Sequence, residues 1–221
     1  MKINKKYLII IITCFIISLV SGLITNDLLL GGSILFTGLL CAYLASEAKR
    51  SNYIISLINY LLTGYVSLKN NLYGIAVFNI FIFSSLQLYG YITWKSNTDE
   101  EDTVSVREFT LKNSIIITLS CIISSFILGY LLTKVPGQRL AFLDSTSNII
   151  NLYGVILMIL RFKECWWVWL FNNIIDLTVW IITVINKGDN SIMMLLVSIG
   201  YLTINIYGII SWHIKAKRRN K

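Results

Sequence analysis

The sequence has 221 residues, of which 56% are hydrophobic and only 14% are charged, and its mean hydropathy is +0.70. A soluble globular domain carries about 25% charged residues, so this is not the composition of an ordinary soluble protein. One proline and four cysteines exclude collagen-like and disulfide-rich classes. The formal charge of +8 suggests nucleic acid at first, but that partner needs a basic face on a soluble fold. The apolar content favours a membrane protein instead.

Eight runs that are almost free of charge follow one another along the chain, each of 16 to 23 residues. A spanning helix needs about 20 mostly apolar residues. The predicted spans are 7–24, 28–45, 52–68, 72–94, 114–133, 145–160, 165–186 and 191–212. The first run is longer than the h-region of a signal peptide and no A-x-A site follows it, so we expect it to be retained. The sequence therefore predicts an all-α polytopic membrane protein with eight transmembrane helices.

The basic residues are distributed unevenly between the loops. With the N-terminus in the cytoplasm, 15 of the 19 lysines and arginines fall on the cytoplasmic side. The four outside are Lys69, Lys134, Arg139 and Lys187. This bias follows the positive-inside rule and predicts that both termini are cytoplasmic. The basic residues 215–221 then act as a topology anchor, and we expect no nucleic-acid partner.

A pattern at the end of the fourth predicted span recurs at the end of the eighth, 118 residues later. The shared features are a carboxamide, a Tyr-Gly pair and a Trp: Gln87, Tyr89-Gly90 and Trp94 against Asn205, Tyr207-Gly208 and Trp212. Spans two to four and six to eight therefore form two three-helix repeats, which are parallel because span five intervenes. The predicted units are an extra N-terminal helix, a first repeat, a loop with a linker helix, a second repeat and a basic tail: 1–27, 28–95, 96–143, 144–214 and 215–221.

Polar and aromatic side chains inside the spans follow helical spacing, so several of them share one helix face. Polar groups at bilayer depth usually face the bundle interior or a wet cavity. Carboxamides beside aromatic planes suit a neutral or weakly charged ligand with a flat ring and hydroxyls. The alternative is that these groups only bond between helices or mark the membrane interface. The candidate binding residues are Trp166, Trp169, Asn173, Asp176, Tyr201, Asn205, Asn59, Asn79 and Gln87.

Asp176 is the one formal charge inside the predicted spans. Two interpretations of it stay open. It is either a proton or ion site, or a carboxylate that is paired with Asn or Tyr side chains.

Several short motifs in the two repeats resemble the nicotinamide riboside transporter (PnuC) family of bacterial vitamin transporters. The motifs are Ser51-Asn52-Tyr53, Leu72-Tyr73-Gly74, Gln87-x-Tyr89-Gly90-x3-Trp94, Asp144-Ser145 and Glu164-x-Trp166-x2-Trp169-x3-Asn173. The resemblance implies a three-plus-one-plus-three helix arrangement in the bacterial inner membrane, often with an added N-terminal helix. It also implies a homotrimer, and facilitated diffusion of a vitamin that a cytoplasmic kinase then traps.

The resemblance implies roles for particular residues as well. Trp166 and Trp169 would stack on the pyridinium ring of nicotinamide riboside. The ribose and the amide would be held by carboxamides: Asn173, Asn59, Gln87 and Asn79.

The chain departs from the family pattern at two places. Asn79 stands where the family usually has Gln. The stretch from Asn79 to Trp94 is one residue longer than the family spacing. The stretch from Asn173 to Gly188 is about one helical turn longer than in the family pattern. Asn173 and Asp176 are therefore both candidates for the same ligand-binding position. Members of this fold for thiamine, riboflavin or deoxynucleosides are therefore alternative assignments.

Other classes of function fit the sequence less well. An intramembrane enzyme needs paired acids, a metal set or a nucleophile–base pair, and the chain has a single histidine and one acid within its spans. We therefore expect no enzyme, no cofactor and no metal. No G-x4-G-K-[ST] loop is present for direct use of ATP. A membrane subunit that hands substrate to a separate ATP-driven complex stays as an alternative.

Overall fold

The structure, a computed structural model, describes residues 5–98, 104–108 and 111–219. Its described residues form eight helices and no strand: α1 (Lys5–Ile24), α2 (Leu30–Ser46), α3 (Asn52–Lys69), α4 (Tyr73–Lys95), α5 (Leu111–Leu132), α6 (Ala141–Ile159), α7 (Cys165–Ile185) and α8 (Ser191–Arg219). Six of them are long and apolar enough to cross a membrane by length and composition. The shorter α2 has 17 residues, and α3 has 18 and carries more polar side chains. The predicted all-α polytopic fold is confirmed.

Two helix ends differ by four or more residues from the predicted spans. α6 begins at Ala141, so Asp144 lies in the first turn of the helix instead of ahead of it. A carboxylate in this position is stabilised by the positive end of the helix dipole. α8 continues to Arg219, into the segment predicted as a basic tail. The outermost residues of the predicted terminal segments, 1–4 and 220–221, lie outside the described residues.

Six helices pack side by side into a closed ring in the order α2, α3, α4, α6, α7, α8 and back to α2. The remaining two lie outside the ring, with α1 against α2 and α5 against α6. The predicted extra helix α1 and the predicted linker helix α5 therefore occupy equivalent positions on the two repeats. Both expose apolar side chains along most of their length, as helices that face lipid do.

Two tryptophans join the repeats at one end of the ring. Trp94 of α4 donates its Nε1 proton to the carbonyl oxygen of Ile159 at 3.1 Å, and Trp212 of α8 donates to that of Ala45 at 2.9 Å. Both indoles are fully buried. Each bond connects the last helix of one repeat to the first helix of the other, so the repeated Tyr-Gly…Trp pattern marks equivalent contacts. The unit limits 28–95 and 144–214 stay predictions.

Helix α4 contains a π-helical segment, Phe78–Phe83. A π-turn takes up one more residue than an α-turn. This segment accommodates the residue by which the stretch from Asn79 to Trp94 exceeds the family spacing, and Gln87 and Trp94 both remain buried. Similarly, α7 has 21 residues where α3 has 18, so the long stretch after Asn173 forms nearly one more turn.

A short segment of the loop between the repeats crosses the end of the ring that carries Lys49, Lys163 and Lys215, which we call the basic end. This strap, residues 104–108, inserts Val104 and Val106, each 3% exposed, among the buried side chains there. The backbone N–H of Val104 donates to the carbonyl oxygen of Ala48 at 2.9 Å, in the turn between α2 and α3.

The other half of the strap is bound to the turn between α6 and α7. The N–H of Arg107 donates to the carbonyl oxygen of Arg161 at 2.7 Å, and the N–H of Lys163 donates to that of Arg107 at 3.0 Å. The Lys163 ammonium lies 2.7 Å from the Glu108 carboxylate. Its hydrogen bond and charge lower the pKa of Glu108. The strap therefore covers the basic end from one repeat to the other.

We predict that Val106→Asp releases the strap, because a carboxylate cannot be buried among apolar side chains without a partner. A released strap should be cut faster by trypsin after Arg107, because the backbone N–H and carbonyl of Arg107, which the protease has to reach, are now bonded to Arg161 and Lys163. Ser105→Asp places the same charge on the exposed neighbouring residue and serves as the control. Equal cleavage rates for Val106→Asp and the unmodified protein would contradict this account of the strap.

Candidate functional site

A cavity of about 150 Å³ lies inside the ring and receives side chains from all six of its helices. We call it the chamber. Apolar clusters pack at both of its ends. At the basic end the cluster includes Trp94, Trp166 and Trp212. At the opposite end a second cluster includes Leu72 and Met193. The chamber is therefore a polar space between two packed apolar layers.

All nine residues predicted to bind a ligand line this chamber: Trp166, Trp169, Asn173, Asp176, Tyr201, Asn205, Asn59, Asn79 and Gln87. They come from α3, α4, α7 and α8, so helical spacing placed them on the inner faces of four separate helices. Whether each contacts a ligand stays a prediction. Their hydrogen bonds divide them into two groups.

In the first group, the polar side-chain atoms have hydrogen-bond partners within the protein. The Asn59 amide donates to the Thr37 hydroxyl at 3.0 Å and accepts a bond from the Tyr201 hydroxyl at 3.1 Å, which ties α3 to α2 and α8. The Asn79 amide donates to the carbonyl oxygen of Ile75, one turn earlier in α4, at 2.7 Å. These polar groups therefore bond within or between helices, as the alternative interpretation of the sequence allowed, and their contact with a ligand stays a prediction.

The second group has polar atoms without a protein partner. Both amide atoms of Gln87, the indole Nε1 of Trp166, Nδ2 of Asn173 and Oδ1 of Asn205 are buried and have no hydrogen-bond partner among the described residues. Each of these side chains is at most 4% exposed. Buried polar groups are normally paired, so four such residues around one cavity indicate a site for a polar ligand.

The two indoles of the Trp-x2-Trp motif lie edge to face, with ring centres 5.2 Å apart and planes at 79°. Glycines let neighbouring helices approach them closely. A Cβ at Gly154 would lie 2.3 Å from the Trp169 indole, and one at Gly208 would lie 2.3 Å from the Trp166 indole. Trp169 is also held by a bond from its Nε1 to Asn151, at 3.1 Å. Both rings are therefore fixed in place before any ligand binds.

Asp176 is held by two neutral donors. Its oxygens accept hydrogen bonds from the Ser147 hydroxyl of α6 and from the Asn172 amide of α7, the latter at 2.7 Å. One of the two interpretations of Asp176 was a carboxylate paired with Asn or Tyr side chains. The structure shows an Asn as one donor, and a serine takes the place of the second. Sequence reasoning missed both Ser147 and Asn172, although the four-residue spacing from Asn172 to Asp176 was a usable signal.

Further lining residues were not among the candidates either. Asn52 and Asn172 each carry a buried amide oxygen without a partner in the described part of the chain. Tyr60 and Trp180 add aromatic surface to the wall. Asn52 and Trp180 fell on the polar or aromatic stripes of their helices. Tyr60 gave no such signal, because a tyrosine beside Asn59 is equally typical of simple packing.

A chamber lined by hydrogen-bonding groups, of which Asp176 alone among the described lining residues is charged, and by indole rings defines a membrane transporter for a small polar solute. Comparison with known proteins agrees. A sequence model described as the nicotinamide mononucleotide transporter family matches residues 28–214, and the chain belongs to this family. The matched region holds the whole chamber and both repeats.

Individual relatives cover most of the chain. The chain is 28% identical over 189 residues to a nicotinamide riboside transporter PnuC of Neisseria mucosa, covering 83% of this chain and 72% of that protein. It is 28% identical over 187 residues to the Haemophilus influenzae transporter of the same name, covering 83% and 79%. A crystal structure of the vitamin B3 transporter PnuC superposes with a TM-score of 0.85 at 25% identity, covering 98% of this chain and 94% of that one.

Proposed function

We propose that this protein carries nicotinamide riboside across the bacterial plasma membrane by facilitated diffusion. The observation that supports this most is a set of buried polar atoms, on Gln87, Trp166, Asn173 and Asn205, that have no hydrogen-bond partner among the described residues. They face one chamber beside two fixed indoles. A flat heteroaromatic ring with a hydroxylated sugar matches both features, and the relatives are named for such a solute.

Within this proposal, the residues of the chamber have distinct roles. Trp166 and Trp169 stack on the nicotinamide ring, because indoles attract both aromatic planes and ring cations. Gln87, Asn173 and Asn205 offer donors and acceptors to the ribose and the carboxamide. The first group of candidates, Asn59, Asn79 and Tyr201, already bonded within the protein, builds the wall behind them.

The charge of the chamber favours the nucleoside over the nucleotide. Among its described lining residues the one ionisable acid is Asp176, and no lysine, arginine or histidine is present. Phosphate recognition relies on cationic side chains or on clusters of free backbone N–H groups. The family description names the mononucleotide, but a phosphate would find no cationic partner in this wall.

The proposed function also includes an orientation in the membrane, an oligomeric state and a way of trapping the solute. Both termini lie in the cytoplasm, since 15 of the 19 lysines and arginines then fall on that side. The protein acts as a homotrimer without enzymatic activity of its own. A cytoplasmic kinase phosphorylates the arriving nucleoside, and this step keeps the solute from leaving.

Uptake into liposomes that contain only the purified protein tests the function. We expect labelled nicotinamide riboside to enter until its internal concentration equals the external one, because nothing in the vesicle supplies energy. Trp169→Ala should reduce the initial rate about fivefold or more, since stacking on an aromatic ring contributes about 1–3 kcal/mol. Accumulation above the external concentration would refute facilitated diffusion.

Controls address the identity of the solute. Thiamine, riboflavin and a deoxynucleoside should compete weakly with nicotinamide riboside in the same liposomes. If one of them is transported and nicotinamide riboside is not, the fold assignment stands and the proposed substrate is wrong. Ile181→Ala, on the exposed outer face of α7, should leave the uptake rate unchanged.

A further inference from the structure

We propose that Asp176 sets the charge preference of the chamber, as the counter-charge to the pyridinium cation of the solute. The proposal rests on the proposed function. It predicts that the transporter selects the cationic nucleoside over a neutral molecule of nearly the same shape, and that one carboxylate is responsible. The observations behind it are the composition of the chamber wall and the bonds around Asp176.

Asp176 is the single charged side chain among the described residues of the chamber wall. The described ion pairs, Lys163–Glu108 and Lys215–Glu47, lie at the basic end and do not include it. A carboxylate at membrane depth without a cationic partner is costly, so such residues usually serve a solute or ion pathway. The chamber therefore carries a net negative charge that no cation among the described residues of its wall balances.

The local bonds hold the carboxylate in place without neutralising it. The Ser147 hydroxyl and the Asn172 amide are neutral donors, and each occupies one oxygen of Asp176. A carboxylate has about four acceptor positions, so both oxygens retain capacity toward the chamber. Because the donors come from α6 and α7, the orientation of the group is fixed by two helices. This arrangement keeps the charge and fixes where it lies.

The expected effect follows from the distance to the stacking rings. Asp176 lies seven residues after Trp169 on the same helix, a rise of about 10 Å. Two unit charges at about 10 Å, with the effective dielectric constant of about 20 that suits proteins, attract enough to change affinity about 10- to 20-fold. A ring cation that tilts toward the middle of α7 comes closer and gains more. A neutral ring gains nothing from this source.

The test compares nicotinamide riboside with its reduced dihydropyridine form, which is neutral and differs by one hydride. Dissociation constants for both are measured by calorimetry on the purified protein and on Asp176→Asn. We expect the unmodified protein to prefer the cation about tenfold or more. The preference should fall to near unity in Asp176→Asn, mainly through weaker binding of the cation, while the affinity for the neutral form changes less than about threefold.

Two further variants separate charge from structure. Asp176→Glu retains the charge and should retain the preference. Asp176→Ser removes both the charge and the expected preference. It is the variant to use if Asp176→Asn does not fold. An unchanged preference in a neutral variant, or equal losses for both ligands, would overturn the proposal and leave Asp176 a packing group. Failure of the unmodified protein to bind either ligand would refute the proposed function itself, which is a different result.

Discussion

Gly208→Ala should lower the affinity for nicotinamide riboside about tenfold or more. The new Cβ would lie 2.3 Å from Cε3 of Trp166, a distance at which the ring has to move. Trp166 cannot retreat easily, because the rings of Trp169 and Trp212 pack against it with centres at 5.2 and 6.0 Å. Overpacking of this kind costs about 1–3 kcal/mol, and a displaced indole no longer fits the ligand. Calorimetric titration of the purified variant measures the change.

The chain offers a matched control in its other repeat. Gly90 stands at the equivalent position of α4, and a Cβ there would lie 2.4 Å from the ring of Tyr53. Tyr53 is buried but does not line the chamber. Gly90→Ala should therefore lower the thermal stability by about as much as Gly208→Ala does, because both add a Cβ to a packed contact. It should leave the affinity for nicotinamide riboside nearly unchanged. Equal losses of affinity in both variants would show that the effect is one of general packing.

Asp144→Ala should lower the free energy of unfolding by about 3 kcal/mol or more, since each buried donor left unpaired costs about 1–3 kcal/mol. The carboxylate is completely buried. It accepts bonds from the backbone N–H of Gly74 at 3.1 Å and from the amides of Gln138 and Asn148, each at 2.6 Å. These bonds join the starts of α4 and α6, one from each repeat. The midpoint of thermal unfolding in detergent measures the loss.

Asp189→Ala is the control for that substitution. Asp189 is an exposed aspartate at the same end of the bundle, so its removal should change stability by less than about 0.5 kcal/mol. Asp144→Ala should also leave the ratio of affinities for different solutes unchanged. If Asp144→Ala unfolds at the same temperature as the unmodified protein, Asp144 is not the structural joint that its bonds indicate.

Much of the fold follows from patterns that the sequence carries alone. The charge-free runs determined the helices, because a bilayer demands about 20 apolar residues per span. The stripe from Trp166 to Asp176 determined which face of α7 turns inward, because side chains three and four residues apart share a face. Even the two irregular spacings had structural counterparts, in the π-helical segment of α4 and the extra turn of α7.

Only the tertiary structure decided which polar groups are available to a ligand. Asn59 and Asn173 read alike in the sequence, yet the Asn59 amide is engaged by Thr37 and Tyr201, while Nδ2 of Asn173 has no partner in the described residues. Helical spacing fixes the direction of a side chain but says nothing of what the facing helix supplies. Those hydrogen-bond partners depend on which helices pack together. The packing of α2 with α8, and of α4 with α6, brings together residues that are more than a hundred positions apart or on separate repeats.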